Sequence, residues 1–441
     1  MGGCATALFI LVVAFPIASL PAVLLIKPLI DLFWFVKIPG PYGMEYNLQS
    51  ITGLAISFGF GIALLLRRWK PQFAAMNGVV VLYTAITIVG LVRAPEKQQA
   101  MQDALRLISP FFLFCAAQYA VDRGINLRSM TFVLAVYSLV PLAMALGQMS
   151  GVLVPPEQSV ASPETLLRVT GIYHHPLDIS WRASVALPFS ICLATELARG
   201  SPARTAWFWA AVSGILAISS FVRSAIVATG AQVFTILWQG KHRVVAFAAV
   251  PLGLAGLLLL PPVRAALNDA IRPVAEGKVY EIGTGRAMLF VAHARAFADA
   301  TLMEKVLGRG LHSSPSVSRD YSPIPAIASG ETETEEGNMG AHNQFLRALT
   351  ETGLVGLVCT IGIFVGSFMV LRRRSRDPRV GPFAKATLIL TTGILIYALV
   401  GHPLDFPALS WPFWVCIGLC VDGSNQRGNR IDAGNTGGEC E

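Results

Sequence analysis

The run FLRALTETGLVGLVCTIGIFVGSFMVL at residues 345–371, closed by Arg372, Arg373 and Arg374, decides the fold class. From Leu354 to Leu371 it carries no charged residue. A helix needs about 20 apolar residues to cross a bilayer, and only helices and closed barrels satisfy their backbone groups there. Barrel strands would read as short alternating segments, so this run predicts a membrane helix. Working outward, further runs occur at about 5–26, 48–66, 74–92, 104–121, 130–152, 178–198, 205–221, 223–238, 243–263, 384–400 and 405–421. Composition agrees: the 441 residues are 54% hydrophobic and only 14% charged, where soluble chains are about a quarter charged. The expected architecture is an all-α integral membrane protein of about twelve spans. An ordinary soluble enzyme and a disordered chain are both excluded.

Lysine and arginine orient it. With the N-terminus inside, the short inner loops hold fourteen basic residues, among them Arg67, Arg68, Lys70 and the cluster from Arg372 to Arg379. The short outer loops hold six: Lys27, Lys37, Arg93, Lys97, Arg168 and Arg223. That is a positive-inside bias. Trp69, Trp207, Trp209 and Trp238 fall at inner helix ends, and Trp34, Trp181, Trp411 and Trp414 near outer ones, which reads as an aromatic belt. The net charge of +8 is thus a topology signal on the inner face, and nothing points to nucleic acid.

The expected organisation is a first membrane part over 1–263, a large outer loop over 264–344, three more spans over 345–422 and an inner tail over 423–441. The loop contains eight basic and ten acidic residues and none of the seven cysteines, so it has no disulfide framework. Residues 284–305 read as an amphipathic helix that Leu307-Gly308-Arg309-Gly310 stops. Ser313 to Gly340, including Glu331 to Glu336, reads as a lid-like stretch.

Charge is scarce in the spans, so each charge at a span mouth is a candidate. His342 and Asn343 stand at the entry to 345–371, and Arg347 and Glu351 form an i,i+4 pair one turn further in. Such a pair faces protein or a water-filled cavity rather than lipid. Arg223 sits between two apolar runs with no room for a loop, among Ser219, Ser220 and Ser224. As an arginine at a helix end it either snorkels to the interface or directs donors at the outer mouth. Tyr173-His174-His175-Pro176 enters another span beside Asp178 and Arg182, which makes His174 a substrate-side candidate.

At these residues the chain resembles the O-antigen ligase / polysaccharide polymerase (Wzy-type) superfamily. The segment Ser219–Ala225 is similar to its Ser-Arg turn, with Val222-Arg223 standing where the family has that pair. Thr284-Gly285-Arg286 with Phe290 and Phe297 is a second match, and Leu307-Gly308-Arg309-Gly310 resembles its Leu-Gly-x-Gly. Residues 341–356 resemble its His-Asn-x-x-Leu and Glu-x-Gly-x-x-Gly signature.

The resemblance implies a GT-C-like transferase in the bacterial inner membrane, multi-pass, with its site facing the periplasm. It implies an undecaprenyl-diphosphate glycan as donor and a glycan or lipid A-core as acceptor. The acceptor hydroxyl attacks with inversion and the lipid diphosphate leaves. Arg223 and Arg286 suit the departing diphosphate, since guanidinium groups hold such oxygens with charge-assisted bonds. His342 suits the acceptor proton because imidazole titrates near neutrality. These three are the expected catalytic residues, with Asn343, Arg347, Glu351, Arg309 and His174 on the substrate-binding side. Arg309 also reads as an ordinary solvated charge. No cofactor and no metal are expected, although Asp178, Asp320 and Asp405 leave a divalent ion open. Ligation, polymerisation and transfer to protein share this chemistry. Lys27–Trp34 and the lack of a soluble tail domain tilt the reading toward exopolysaccharide polymerisation, with a chain-length regulator as a further partner. The competing class is a polytopic transporter or flippase of lipid-linked glycans, which should show internal repeats and short loops on both sides.

Overall fold

The computed structural model describes residues 2–33, 36–39, 45–71, 74–153, 173, 176–197, 199–219, 222–239, 264, 268, 286–323 and 340–421. Apolar runs have become helices. In chain order these are α1 (Gly2–Ala14), α2 (Pro16–Ile30), α3 (Leu48–Leu66), α4 (Ala75–Arg93) and α5 (Lys97–Asp122). There follow α6 (Leu127–Ala135), α7 (Leu139–Met149), α8 (Pro176–Cys192), α9 (Ser201–Ser219) and α10 (Arg223–Gln239). Beyond residue 285 come α11 (Arg286–Ala298), α12 (Leu302–Leu307), α13 (Ser314–Asp320), α14 (Gln344–Arg374), α15 (Gly381–Val400) and α16 (Pro407–Cys420). A small antiparallel hairpin, β1 (Lys37–Pro39) with β2 (Glu45–Asn47), joins α2 to α3 and pairs Lys37 with Asn47.

Seven of the described helical stretches are long and apolar enough to cross a membrane: Pro16–Phe33, Ala75–Arg93, Lys97–Asp122, Leu127–Met149, Leu177–Glu196, Gln344–Arg374 and Gly381–Val400. The protein is a multi-pass helical membrane protein. The expected span at 243–263, the acidic stretch Glu331 to Glu336 and the tail 423–441 lie outside the described residues.

One expected span is not a single helix. Residues 5–26 divide at Phe15, whose φ of −131° and ψ of 59° are not helical, because Pro16 starts a new helix. The chain folds back there, so that Ser19 Oγ donates to Leu11 O at 3.1 Å. The C-terminal end of α1 lies against that of α3, and Arg67 donates to the carbonyls of Val13 (3.0 Å) and Ala14 (2.9 Å). Arginine at this position satisfies carbonyls that a helix end leaves open.

At the centre stands α16. Every residue from Ala408 to Cys420 is buried, as expected of a helix that is apolar all round. It packs most extensively on α5 and also on α15 and α8. Trp411 and Trp414, read from sequence as belt residues, are buried core residues, and so is Trp181. The Trp414 indole packs against Phe413 and Phe114, and that of Trp181 against Tyr397 and Phe406. Trp207 and Trp238, at the opposite end, are exposed.

A buried ion-pair network ties α2 to α8. Asp31 pairs with both Lys27 and Arg182, and Arg182 Nη1 reaches Asp178 Oδ1 at 3.3 Å. The guanidinium lies 4.3 Å from the centre of the Tyr173 ring, and Lys27 lies over Trp411. Removing one member of such a buried set typically costs about 3–5 kcal/mol, because its partner stays charged and dry.

Candidate functional site

The site grows out of a break in α14. Gly353 has φ +70° and ψ −165°, a conformation essentially reserved to glycine, in the middle of an otherwise helical run. The break frees the carbonyls of Thr350 and Glu351 from the helical ladder. Two amides of the segment between α12 and α13 take them: Arg309 N donates to Thr350 O at 2.9 Å, and Gly310 N to Glu351 O at 3.0 Å. The loop continues onto α4, where Leu311 N donates to Gly90 O at 2.9 Å and Arg93 Nε to Gly308 O at 3.1 Å. Gly308 (φ +78°) and Gly310 (φ +104°) allow this approach; a Cβ on Gly308 would strike the Glu351 backbone, and one on Gly310 would lie 2.6 Å from that of Ala94. Leu-Gly-x-Gly and Glu-x-Gly are therefore two halves of one seam, in which backbone packs directly on backbone.

Above the seam, Arg347 is a hub. Its Nη2 donates to Asp103 Oδ2 at 2.7 Å, its Nε to Glu351 Oε2 at 3.0 Å, and its Nη1 pairs with Asp405. His312 Nδ1 meets Asp103 Oδ2 at 3.0 Å, and Arg106 stands 3.6 Å from Asp103 Oδ1. The hydrogen bond to Asp103 raises the pKa of the His312 imidazole despite its partial burial. With His312 charged, the cluster balances three cations against three carboxylates. Tyr83, Thr87, Leu107 and Gln344 help enclose a cavity of about 20 Å³ beside Arg347, room for one water and none for a sugar. In this arrangement Arg347 and Glu351 brace the start of α14 against α5 and the α15–α16 turn.

Asn343 caps α14. Its Oδ1 accepts from Phe345 N and Leu346 N, both at 2.9 Å, while its Nδ2 donates to Leu399 O at 2.8 Å. Such a cap is worth about 1 kcal/mol and here also joins the ends of α14 and α15. His342, just before the cap, is left-handed at φ 44° and half-buried. Its ring centre lies 6.0 Å from that of His402, which stacks on Phe406 at 5.4 Å. Burial pushes the His402 imidazole down to about 3, assisted by the charges of Arg347 and His342. A neutral imidazole therefore faces His342.

Arg223 begins α10 and is exposed; Arg286 begins α11 and is half-buried. They are electrostatic neighbours: burial lowers the Arg286 pKa, and the Arg223 charge lowers it further. Among the described residues neither guanidinium forms an ion pair. Gln232 of α10 meets Gly393 of α15, so in these antiparallel helices Arg223 and His402 lie at the same end. Arg309 is engaged elsewhere, donating to Ala296 O (3.0 Å) and Tyr321 Oη (3.1 Å). His174 lies outside the described residues. Asp178, Asp320 and Asp405 each pair with an arginine, in three separate places.

Sequence reasoning missed Asp103, His312, His402 and His293. His293 is buried between α11, α13 and α14, with Nδ1 2.7 Å from Thr350 Oγ1 and Nε2 3.1 Å from Ser318 Oγ. Burial pushes its imidazole down to about 4. An acidic residue at the mouth of an apolar run was available as a signal for Asp103, and a turn too short for a loop for His402.

A helical membrane bundle with guanidinium groups and imidazoles collected at one end defines the general class, and comparison with known families sharpens it. Residues 208–361, from within α9 to the middle of α14, match the O-antigen ligase family model. That span contains Arg223, Arg286, Arg309, His342, Asn343, Arg347 and Glu351; Asp103, His402, Asp405 and His174 fall outside it. No curated protein matches the chain. The match supports a function of the general O-antigen ligase or polymerase type.

Proposed function

We propose that the protein transfers an undecaprenyl-diphosphate-linked oligosaccharide to an acceptor hydroxyl at the periplasmic face of the bacterial inner membrane. His342 takes the proton of the hydroxyl as its oxygen attacks the anomeric carbon. The bond from that carbon to the diphosphate breaks with inversion, and the negative charge of the leaving lipid diphosphate passes to Arg223 and Arg286. Donors placed where charge develops in a partly dry site typically contribute a few kcal/mol each. Asn343, Arg347 and Glu351 hold the helix start that carries His342, and His402 backs its ring. Twelve spans and a periplasmic loop over 264–344 complete this reading.

The observation that carries it is that Arg223 lies near enough to Arg286 for its charge to lower the Arg286 pKa. Two segments of the matched region bring like charges together with no carboxylate paired to either among the described residues. Such an arrangement costs energy until an anion occupies it. The basic cluster at the other end of the bundle supports the orientation.

The test is reconstitution in vesicles with donor and acceptor supplied from one side only. Wild type should form product, which a flippase would not. Arg286→Ala and His342→Ala should abolish product while eluting as folded protein in size-exclusion chromatography. Full product from His342→Ala overturns the catalytic assignment, and no product from wild type overturns the reaction.

A further inference from the structure

The short helix α12 presents an apolar face away from the protein. Leu302 is 79% exposed and Met303 57%, and Val306 completes the face at i+4. The opposite side is polar and structurally committed. Thr301 and Glu304 form a capping box, with Glu304 N donating to Thr301 Oγ1 and Thr301 N to Glu304 Oε2 at 2.8 Å. A loop helix standing free in water would gain nothing from three outward apolar side chains.

Its position explains them. On α14 the residues Leu354, Val358, Ile361 and Val365 follow helical spacing and are all exposed, Val358 by 65%. In a membrane helix this stripe faces lipid. The stripe stops at Leu354 because the next turn is covered by α12, whose Val306 carbonyl rests on Gly353. On the flanking helix α4, Val92 is 72% exposed at the last turn before Arg93, which bonds to Gly308. The outward face of α12 thus takes up the lipid-facing surface where α14 and α4 give it up. Lys305 lies over the Phe297 ring, and exposed Lys97 follows α4.

We propose that α12 is a membrane-interface element, with Leu302, Met303 and Val306 seated in the headgroup–acyl boundary of the leaflet nearest His342. An apolar face flanked by basic residues is the form that interfacial helices take. The seam below then transmits the height of the bilayer surface to the Arg347 hub, because α12 and the Leu307–Leu311 strap are one piece.

The experiment uses the full chain in phosphatidylethanolamine–phosphatidylglycerol vesicles, with Cys4 and Cys440 replaced by serine. Spin labels are placed singly at Leu302→Cys and Met303→Cys. Val358→Cys serves as the acyl reference and Asp320→Cys, an exposed charged site, as the aqueous one. Accessibility to oxygen and to a water-soluble nickel chelate is read by power saturation. At 302 and 303 oxygen should dominate as at 358, with the reverse at 320. Chelate access at 302 and 303 equal to that at 320 puts the face in water and overturns the proposal. Exclusion of both reagents means that protein covers the face, and overturns it equally. None of these readings depends on glycan transfer.

Discussion

Replacing Gly353 by alanine removes the conformation on which the seam depends. Holding a non-glycine residue at φ +70°, ψ −165° costs about 1–3 kcal/mol. The added Cβ would also strike the carbonyl of Val306, so α12 must lift. The bonds Arg309 N to Thr350 O and Gly310 N to Glu351 O then go with it, at about 0.5–1.5 kcal/mol each. Even the lower bounds amount to about 2 kcal/mol, a factor of about 30 in the docked population. Hydrogen–deuterium exchange by mass spectrometry in detergent micelles reads this directly. Peptides over 302–313 should lose about 30-fold in protection, while those over 385–398 in α15 keep theirs. If the first set exchanges as in wild type, the helix break does not seat the strap and the reasoning fails.

Arg347→Met should strand Glu351 and Asp405 without their cation, while Asp103 keeps His312 and Arg106. The expected loss is about 3–5 kcal/mol, visible as a lower monodisperse fraction in size-exclusion chromatography. His293 is kept neutral down to about pH 4, whereas an unfolded histidine takes its proton near 6.5. Stability should therefore fall as pH drops through that window, by about 3 kcal/mol in all, and a thermal melt of His293→Gln should lose this acid sensitivity. His312 has the opposite sign. Its raised pKa gives a contribution that is complete below the ordinary histidine range and fades as pH rises through the folded value. Protection factors over 308–313 should decline in wild type as pH rises beyond the ordinary histidine range, and stay level in Asp103→Asn.

The helices were legible because bilayer physics demands long apolar runs, and α14, α15 and α5 stand close to where hydropathy puts them. The N-terminal run deceived because hydropathy records solubility and not direction. Pro16 marks a start, but only the bond from Ser19 to Leu11 reveals the reversal. Trp411 and Trp414 deceived for a related reason: an indole near a span end reads the same in sequence whether it faces lipid or a neighbouring helix. In the site, Arg347 and Glu351 were visible as a pair through i,i+4 spacing. Asp103 and Asp405 could not be joined to them, since no local rule links residues so distant in the chain. The glycines of the seam were visible as a motif, yet their purpose appears only when Gly308 and Gly353 are seen packing backbone to backbone.

The central place of α16 bears on how the bundle is made. A helix buried on every side is normally expected early, as a post for the others to assemble on. Here it follows the other described helices in chain order, so α5 is synthesised long before the partner it packs against most. Until α16 emerges, the wall formed by α2, α5, α8 and α15 surrounds a gap, and the non-local contacts that close it come last. Asp405 lies just ahead of α16, so the same late event delivers the third carboxylate to Arg347. Completion of the charged hub is thereby tied to arrival of the last core helix, and a chain stalled before it would hold its other parts without a finished site.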